Sequence, residues 1–467
     1  MIESTPSAAA SRGLFVGYLG LLVWSPIPLG SNRPWSWGLL ELWVFLLAAW
    51  WIIGFVRGKH HGNAVLKSAL PALIVCAVWL AFVWLQLLPL PIELLKLLSP
   101  EAARWHVAAH DGPLAFAPLT VDRHGTLHGA LKSVAYVLFF ALSLALLDRR
   151  KRIAAAAYTV IVAGFLQAMF GGLMALGSES AAVAQGTFGN RNHFAGYLEL
   201  CLSVGLGILI SSLTGESSQT LKQFVRNTLS WILSPKMCLR LALAIMVIAL
   251  VLSRSRMGNS AFFVSMLVTG GIGLLLSRRA TRSMVLLLVT LVVIDICIVG
   301  AYFGVEKVVQ RMEQTQLANE RNESVQAVGV WKDYPVFGAG LGSFHVVFPK
   351  YSGAGLTVRY THAHNDYVQF GCETGIIGLG LLGLLVAMSF VAALRAQYLR
   401  QDPLMRGISF GAVMGIIALM MHSTVDFNLQ IPANALLFML VLAFGWIALY
   451  HDRRRHHESA QSAINND

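Results

Sequence analysis

RYTHAHNDYVQFGCETG, residues 359–375, ends a long polar segment and leads directly into an apolar run that begins at Ile376. Two histidines, an arginine and several other polar side chains therefore lie where a water-exposed segment meets a hydrophobic one. Such a boundary favours chemistry between a membrane-borne group and a soluble one. The other polar segments of the chain matter where they reach the same face of the membrane.

The composition is that of a membrane protein. Of the 467 residues, 56% are hydrophobic and only 12% are charged, and the mean hydropathy is +0.64, which leaves too little polar surface for a soluble globule. The net charge of +12 lies in short clusters between apolar spans, as the positive-inside rule predicts, so nucleic-acid binding is not indicated. The five cysteines have no CxxC spacing, and neither a disulfide framework nor a zinc site is indicated.

The apolar runs predict an all-α polytopic membrane protein with about 12 transmembrane helices. A helix of about 20 apolar residues crosses a bilayer. The candidate spans are residues 14–30, 35–56, 68–89, 130–147, 153–176, 194–213, 238–253, 257–276, 284–303, 374–394, 407–426 and 432–450. Most Lys and Arg residues fall in the alternate loops that include Arg12, which predicts that both termini are cytoplasmic.

This pattern divides the chain into four parts. Residues 1–303 hold nine spans with short loops and one amphipathic outer loop at 90–130, and residues 304–373 form a long periplasmic loop between the ninth and tenth spans. Residues 374–450 hold the last three spans, and residues 451–467 form a cytoplasmic tail.

The outer segments have their own patterns. The leucine spacing between Pro91 and Thr126 suits a helix on the membrane surface, and a structural lid explains the same composition. Residues 305–331 indicate one or two amphipathic helices. FGAGLGSF, residues 337–344, predicts a tight loop with exposed backbone amides, but it follows no predicted strand and does not indicate a dinucleotide site.

The first of four polar clusters is TFGNRNHFAGYLE, residues 187–199, at the outer start of the sixth span. Asn190 or Asn192 is suited to cap that helix. The cap leaves the positive dipole end of the helix and Arg191 facing outward, which predicts an anion site. The alternative is that Arg191 only contacts lipid phosphates.

The second cluster is SRSRMG, residues 253–258, an outer turn so short that both of its arginines lie at the headgroup level. The two guanidinium groups, Arg254 and Arg256, fit a pyrophosphate better than a neutral sugar. Anchoring to lipid headgroups is the alternative.

The third cluster is the opening stretch itself. Asn365 or Asp366 followed by Gln369 resembles a helix start with a capping side chain three residues on. This places His364 just before a helix N-terminus, as a candidate general base. The alternatives are a structural histidine and a metal site at His362-x-His364-x-Asp366, although no other outer segment supplies an obvious further set of ligands.

The fourth cluster is HSTVDFN, residues 422–428, at the outer end of the eleventh span. His422 and Asp426 are one helical turn apart, so Asp426 is suited to orient a histidine or to take a proton, and packing between spans is the alternative. Asp295 and Glu199 lie within spans and should face the bundle interior, either in a proton relay or as hydrogen-bonded carboxyls.

FGNRNHFAGYLEL, SRSRMG, YPVFGAGLGSF and HAHNDYVQFGCETGIIG resemble segments of the O-antigen ligase and polymerase superfamily, which also includes bacterial O-linked oligosaccharyltransferases. The resemblance extends over most of residues 155–450. The spacing His364-x10-Gly375 is similar to a pattern of the ligases, whereas their Arg-x3-Leu loop pattern is not evident here.

The resemblance implies a GT-C-like glycosyltransferase at the periplasmic face of the bacterial inner membrane. It moves a glycan from an undecaprenyl pyrophosphate carrier to a lipid A core, as in ligation during lipopolysaccharide biosynthesis, or else to a growing glycan or a protein hydroxyl. No cofactor, metal or nucleic acid is implied. The implied catalytic residues are His364 as base with Arg191 and Arg256, and the implied substrate-binding residues are Arg254, His362, Asn365, Asn192 and Asp426.

A polysaccharide-lipid transporter or flippase is the competing class, because twelve spans also describe many carriers. Transporters place their substrate sites near the bilayer midplane, whereas the polar clusters here lie at the outer ends of spans. Asp295 is the one residue that favours transport.

Overall fold

The structure is a computed structural model, and it describes residues 8–60, 62–177, 183–213, 235–276, 316–352 and 361–451. Within these residues a helix occupies every predicted span except 284–303, which lies outside the described part of the chain together with Asp295. Residues 304–315 and 353–360 of the predicted loop and residues 452–467 of the tail also lie outside it. The all-α, multi-pass prediction is confirmed.

The helices of the first half of the chain begin near the N-terminus. They are α1 (Ala8–Trp24), α2 (Pro34–Val56), α3 (Ala64–Ser68), α4 (Leu70–Leu85), α5 (Ile92–Leu98), α6 (Pro100–Ala108), α7 (Arg123–Leu146), α8 (Arg150–Leu176) and α9 (Arg191–Leu213). The second half continues with α10 (Pro235–Leu252), α11 (Arg256–Leu276), α12 (Gln316–Asp333), α13 (Phe344–Val347), α14 (Asp366–Leu399), α15 (Pro403–His422) and α16 (Pro432–Tyr450).

Eight of the described helices are long and apolar enough to cross a membrane: α2, α7, α8, α9, α11, α14, α15 and α16. Two shorter apolar helices, within α1 and α4, accompany them. The described strands are β1 (Leu90–Pro91) and β2 (Phe116–Ala117), which pair antiparallel.

Helix α9 lies at the centre of the bundle, since 94% of its most hydrophobic 18-residue stretch is buried. It crosses α15 closely because both helices present glycine at the crossing. A Cβ atom on Gly207 would lie 2.2 Å from the carbonyl oxygen of Gly407, and one on Gly411 would lie 2.8 Å from that of Ser203. Small residues at such a crossing let two backbones approach in a membrane, where dispersion contacts replace the hydrophobic effect.

The loops that follow α2, α7, α14 and α16 meet on one face of the bundle. His451 Nε2 lies 3.2 Å from the carbonyl oxygen of Asp148, and Asn63 donates a hydrogen bond of 2.8 Å to the carbonyl of Leu144. Arg150 forms an ion pair with Asp402. The segments before α9, α11 and α14 and after α15 therefore lie together at the opposite end.

A small second core covers that opposite end. It joins segments from residues 90–121 to segments from residues 327–372, and its buried members include Leu95, Leu119, Val330 and Phe344. We call α5, α6, β1, β2, α12 and α13 with their connections the outer layer. The segment from Pro91 to Thr126 thus packs on other protein segments.

The glycine-rich loop at 337–344 differs from the sequence prediction. Its amides are not exposed, because Ala339 and Gly340 donate hydrogen bonds of 2.8 and 2.9 Å to the carbonyls of Cys372 and Glu373. The loop packs against α14 at Gly375, where the helix is interrupted because Gly375 has the non-helical angles φ 60° and ψ −166°. Ile376 then donates to the carbonyl of Pro335 at 2.9 Å, so the loop supplies the partners that the broken helix lacks.

Candidate functional site

Three histidines from two segments surround one aromatic ring, Phe427. The ring of His362 stacks on it with centroids 4.2 Å apart, and those of His193 and His364 meet it edge-on at 4.6 and 4.9 Å. We call these three residues the histidine cluster. The first, third and fourth polar clusters of the sequence therefore meet at the turn between α15 and α16.

His364 has a left-handed backbone conformation, with φ 48°. It directly precedes Asn365, the N-cap of α14, whose side chain accepts a hydrogen bond of 3.1 Å from the amide of Val368 and donates one of 2.7 Å to the carbonyl of Thr424. The left-handed region is uncommon for a non-glycine residue and persists only where its surroundings fix it. The cap of α14 therefore fixes the backbone that carries His364.

Gln369 does not complete a capping box as predicted, because its side chain turns back to the loop. Its Oε1 atom accepts from the amide of Ala363 at 3.2 Å, and its Nε2 atom donates to Glu373 at 3.1 Å. The same amide group lies 3.2–3.3 Å from Nδ1 of His362. Gln369 is therefore a positioning residue for His362.

A buried network of carboxylates and imidazoles lies behind the histidine cluster. His422 Nδ1 is 2.8 Å from Glu199 Oε1, His422 Nε2 is 3.8 Å from Asp426 Oδ2, and His193 Nε2 is 3.7 Å from Asp426 Oδ1. All four side chains are buried. Glu199 is thus one member of a charged network and has an imidazole partner.

The prediction that His422 and Asp426 share a helix face is wrong, because α15 ends at His422 and Asp426 lies in the following turn. Burial favours a raised pKa for Asp426, but its contact with His193 and the charge of His422 outweigh burial and lower the pKa below its usual value. Asp426 is therefore ionised at neutral pH.

Asp366 attaches α14 to the same turn. Its carboxylate accepts hydrogen bonds of 2.8 Å from the Ser423 hydroxyl and 3.1 Å from the Leu429 amide, and its own amide donates to the carbonyl of Ser423 at 2.9 Å. Among the described residues, no group of three or more His, Cys, Asp or Glu side chains is arranged to hold a metal ion.

The two arginine segments adjoin at the N-terminal end of α9. Asn190 caps the helix through a hydrogen bond of 2.8 Å from the Asn192 amide, and exposed Arg191 is its first residue. Exposed Arg256 begins α11, and Arg254 precedes it with φ 53°.

Two backbone contacts hold these segments together. The amide of Ala184 donates to the carbonyl of Leu252 at 3.1 Å. A Cβ atom on Gly258 would lie 2.6 Å from Cβ of Ala195 and 3.1 Å from Oε1 of Glu199. The start of α11 therefore packs against the turn of α9 that also carries the buried network.

A cavity of about 1160 Å³ has His362 of the histidine cluster in its wall. Its polar wall contains side chains from α7, from α13, from the loop before α14 and from the start of α14: His124, His128, Lys132, His345, His362, Gln369 and Glu373. Its apolar wall is formed by α14, α15 and α16, with Leu385, Phe390, Ile417 and Phe438 among its residues.

Only one of the sequence-predicted site residues, His362, lines this cavity. The others lie outside its wall: Arg191, Asn192, Arg254, Arg256, His364, Asn365 and Asp426. The structure places His362 and His364 on the ring of Phe427, next to Asp426. Arg191 and Arg256 are the first residues of α9 and α11, which pack against each other.

Sequence reasoning missed the basic residues of α7. The Lys132 Nζ atom lies 3.8 Å from the centroid of the Trp37 ring, and the rings of His124 and His128 are 4.3 Å apart. The available signal was a lysine within an apolar span, since ionisable residues are rare at such positions and mark functional sites.

No curated protein matches the chain. Residues 241–383 match the family model described as O-antigen ligase. The match includes the SRSRMG turn, the histidines at 362 and 364, and the break of α14 at Gly375. This match supports membership of the O-antigen ligase superfamily.

Proposed function

We propose that this protein is a periplasmic-face glycosyltransferase of the bacterial inner membrane. It moves a glycan from an undecaprenyl pyrophosphate carrier to an acceptor hydroxyl, with an O-antigen ligase-like reaction on a lipid A core as the first candidate. Both termini are cytoplasmic in this proposal, because the Lys- and Arg-rich loops share the face where Arg150 pairs with Asp402.

The observation that carries the proposal is the cavity next to the histidine cluster. Its apolar wall between α14, α15 and α16 suits a hydrocarbon chain, and its polar wall holds imidazoles and the ammonium group of Lys132. A substrate with a long isoprenoid chain and a charged, sugar-bearing head matches both parts. Such amphiphilic cavities with a few convergent polar groups are typical of ligand sites.

The arginines of the two outer turns suit the leaving group. When the acceptor oxygen bonds to the anomeric carbon, the bond from that carbon to the pyrophosphate breaks and its electron pair leaves with the carrier. At an effective dielectric constant of about 20, one charge pair at 4 Å is worth about 4 kcal/mol. Our candidates for stabilising the leaving pyrophosphate are Arg191, Arg254 and Arg256. A guanidinium group can donate two parallel hydrogen bonds to the oxygens of one phosphate.

A histidine takes the proton that the acceptor hydroxyl loses. General-base catalysis of this kind is worth about 10² to 10⁴ in rate. The family resemblance assigns this role to His364, and the structure has two imidazoles, His362 and His364, on the ring of Phe427. A single displacement of this kind inverts the anomeric centre.

Deletion of the gene, followed by gel electrophoresis of the surface glycans, identifies the acceptor. A ligase defect leaves the polymer on its carrier and the lipid A core bare, and this is the result we expect. A polymerase defect leaves single repeat units on the core, and loss of glycan from secreted proteins indicates a protein O-oligosaccharyltransferase. Unchanged glycans in all three fractions would contradict the proposed function.

A further inference from the structure

We propose that Glu199 is a positioning residue of the transfer reaction. Through His422 and Asp426 it fixes the starts of α9 and α11, which carry the arginines, relative to the loop that carries His364. The inference rests on the proposed function, and it keeps His364 as the base and the arginines as ligands of the leaving group. It gives the buried network behind the histidine cluster a role in the reaction.

The groups assigned to the reaction belong to three separate elements. Arg191 is the first residue of α9, Arg256 is the first residue of α11, and His364 precedes the N-cap of α14. A base and a ligand of the leaving group act on one bond only when their separation is fixed, and an error of about 1 Å can lower a rate about 10²-fold. The three elements therefore need a connection that sets their distances.

A closed ring of contacts connects α9 to α15 and to the turn after α15. Oε1 of Glu199 in α9 lies 2.8 Å from Nδ1 of His422, the last residue of α15. Nε2 of His422 lies 3.8 Å from Oδ2 of Asp426 in the turn, and Oδ1 of the same carboxylate lies 3.7 Å from Nε2 of His193. The ring thus returns to α9, because His193 belongs to the helical turn that begins with Arg191.

The same ring of contacts reaches the other two elements. A Cβ atom on Gly258, in the arginine-bearing first turn of α11, would lie only 3.1 Å from Oε1 of Glu199. On the other side, the carbonyl of Asp426 accepts a hydrogen bond of 3.1 Å from the amide of Asp366, which closely follows His364 in the chain. Glu199 and Asp426 are therefore the points at which the ring contacts α11 and α14.

Asp426 also fixes the aromatic side chain beside the base. Its Oδ1 atom accepts a hydrogen bond of 2.9 Å from the amide of Phe427, and the ring of His364 meets that of Phe427 edge-on with centroids 4.9 Å apart. A shift of Asp426 therefore moves the surface that His364 contacts. Through His422, the position of Asp426 depends on Glu199.

The chemistry of the network favours positioning over stability. A carboxylate and two imidazoles are costly to bury within membrane spans, and apolar side chains of similar volume often hold a core together equally well or better. The contacts of His422 and His193 with Asp426 are too long for hydrogen bonds. Directional polar contacts can select one arrangement of helices where apolar packing permits several.

The test uses the purified full-length protein in detergent, with labelled undecaprenyl pyrophosphate-linked glycan and lipid A core as probes. Glu199→Ala removes the contact with His422. We expect kcat to fall about 10- to 100-fold with little change in KM for the donor, because the arginines that bind the pyrophosphate remain. Glu199→Gln keeps the volume and an oxygen that accepts from Nδ1 of His422, so it should recover most of the activity lost in Glu199→Ala.

Gln397→Leu is the matched control for the loss of a buried polar contact between helices. Gln397 of α14 donates hydrogen bonds of 2.7 Å to the carbonyl of Arg406 and 2.8 Å to the hydroxyl of Ser409, at the opposite end of α15 from His422. We expect this variant to lose thermal stability as Glu199→Ala does and to keep the kcat of the wild type.

A second variant breaks the ring of contacts at its other side. His422→Gln keeps a hydrogen-bond donor for Glu199 and loses the nitrogen that faces Asp426. Its kcat should fall about tenfold or more, again with little change in KM for the donor. This variant tests the inference even where Glu199→Ala yields no folded protein.

The outcomes separate this inference from the proposed function. Transfer by the wild type with the same kcat in Glu199→Ala and His422→Gln would overturn the inference and leave the proposed function standing. An equal loss in Glu199→Gln and Glu199→Ala would also overturn it, because the carboxylate would then act through its charge or its proton. So would an equal fall of kcat in Gln397→Leu, since any lost buried contact would then slow transfer. No transfer by the wild type would overturn the proposed function and this inference together.

Discussion

At the scale of single residues, Phe427 organises the site. Three imidazoles contact its ring, and its neighbour Asp426 lies 3.7 Å from His193 and 3.8 Å from His422. The side chains around this ring therefore come from α9, the loop before α14 and the turn after α15. None of these segments holds the site alone.

Arg256→Ala tests the arginines at this scale. We expect KM for the undecaprenyl pyrophosphate-linked donor to rise by about 10- to 100-fold, because one charge contact with the pyrophosphate is lost in a partly screened site. Steady-state transfer kinetics measure this change. Arg57→Ala is the control, since Arg57 is exposed at the end of α2 on the opposite face. An unchanged donor KM in Arg256→Ala would show that Arg256 only anchors lipid headgroups.

At the scale of elements, the backbone of the glycine-rich loop packs closely against the break in α14. We call this contact between residues 335–340 and 372–376 the joint. A Cβ atom on Gly375 would lie 2.2 Å from the carbonyl oxygen of Val336, and one on Gly338 would lie 2.2 Å from the carbonyl carbon of Glu373. This joint sets the position of the first part of α14, which carries Gln369 and Glu373. It also explains why the His364-x10-Gly375 spacing ends at a glycine.

Gly375→Ala should loosen the joint. The backbone of Gly375 lies in a region that other residues rarely adopt, so we expect a loss of about 2 kcal/mol or more of unfolding free energy and faster proteolysis of the outer layer. Gly380→Ala is the control, because Gly380 lies in the same helix with no atom within 4 Å of an added Cβ. That change should be neutral or stabilise the helix by up to about 1 kcal/mol. Equal proteolysis rates in both variants would contradict the claim that the joint at Gly375 stabilises the outer layer.

The sequence predicts the elements better than their contacts. The length of the apolar runs is sufficient to predict the spans. Arginines in short loops predicted to be outside stand out because the positive-inside rule places basic residues in the inside loops. The sequence does not predict that Gln369 turns back to His362, or that Lys132 faces a cavity, because both depend on which helix faces meet. It also misassigns the glycine-rich loop, since conformational freedom at glycine serves close packing as well as ligand binding.

At the scale of the whole molecule, the protein has a membrane bundle and an outer layer. The cavity lies among α4, α7, α14, α15 and α16, and His362 of the histidine cluster is part of its wall. Its hydrophobic wall lies among the spans and its polar wall lies next to the outer layer. A lipid-linked substrate, bound as we propose, would have its head group at the level of the imidazoles.

Transfer of labelled glycan by the purified protein in detergent, from undecaprenyl pyrophosphate to lipid A core, tests the central claim most directly. Detergent leaves no second compartment, so an enzyme works there and a transporter has no measurable activity. We expect the wild type and Leu384→Trp, which alters a side chain that is 47% exposed, to transfer glycan. Leu385→Trp fills the cavity wall and should abolish transfer. No transfer by the wild type in detergent, together with translocation of the lipid-linked glycan in vesicles, would contradict the account.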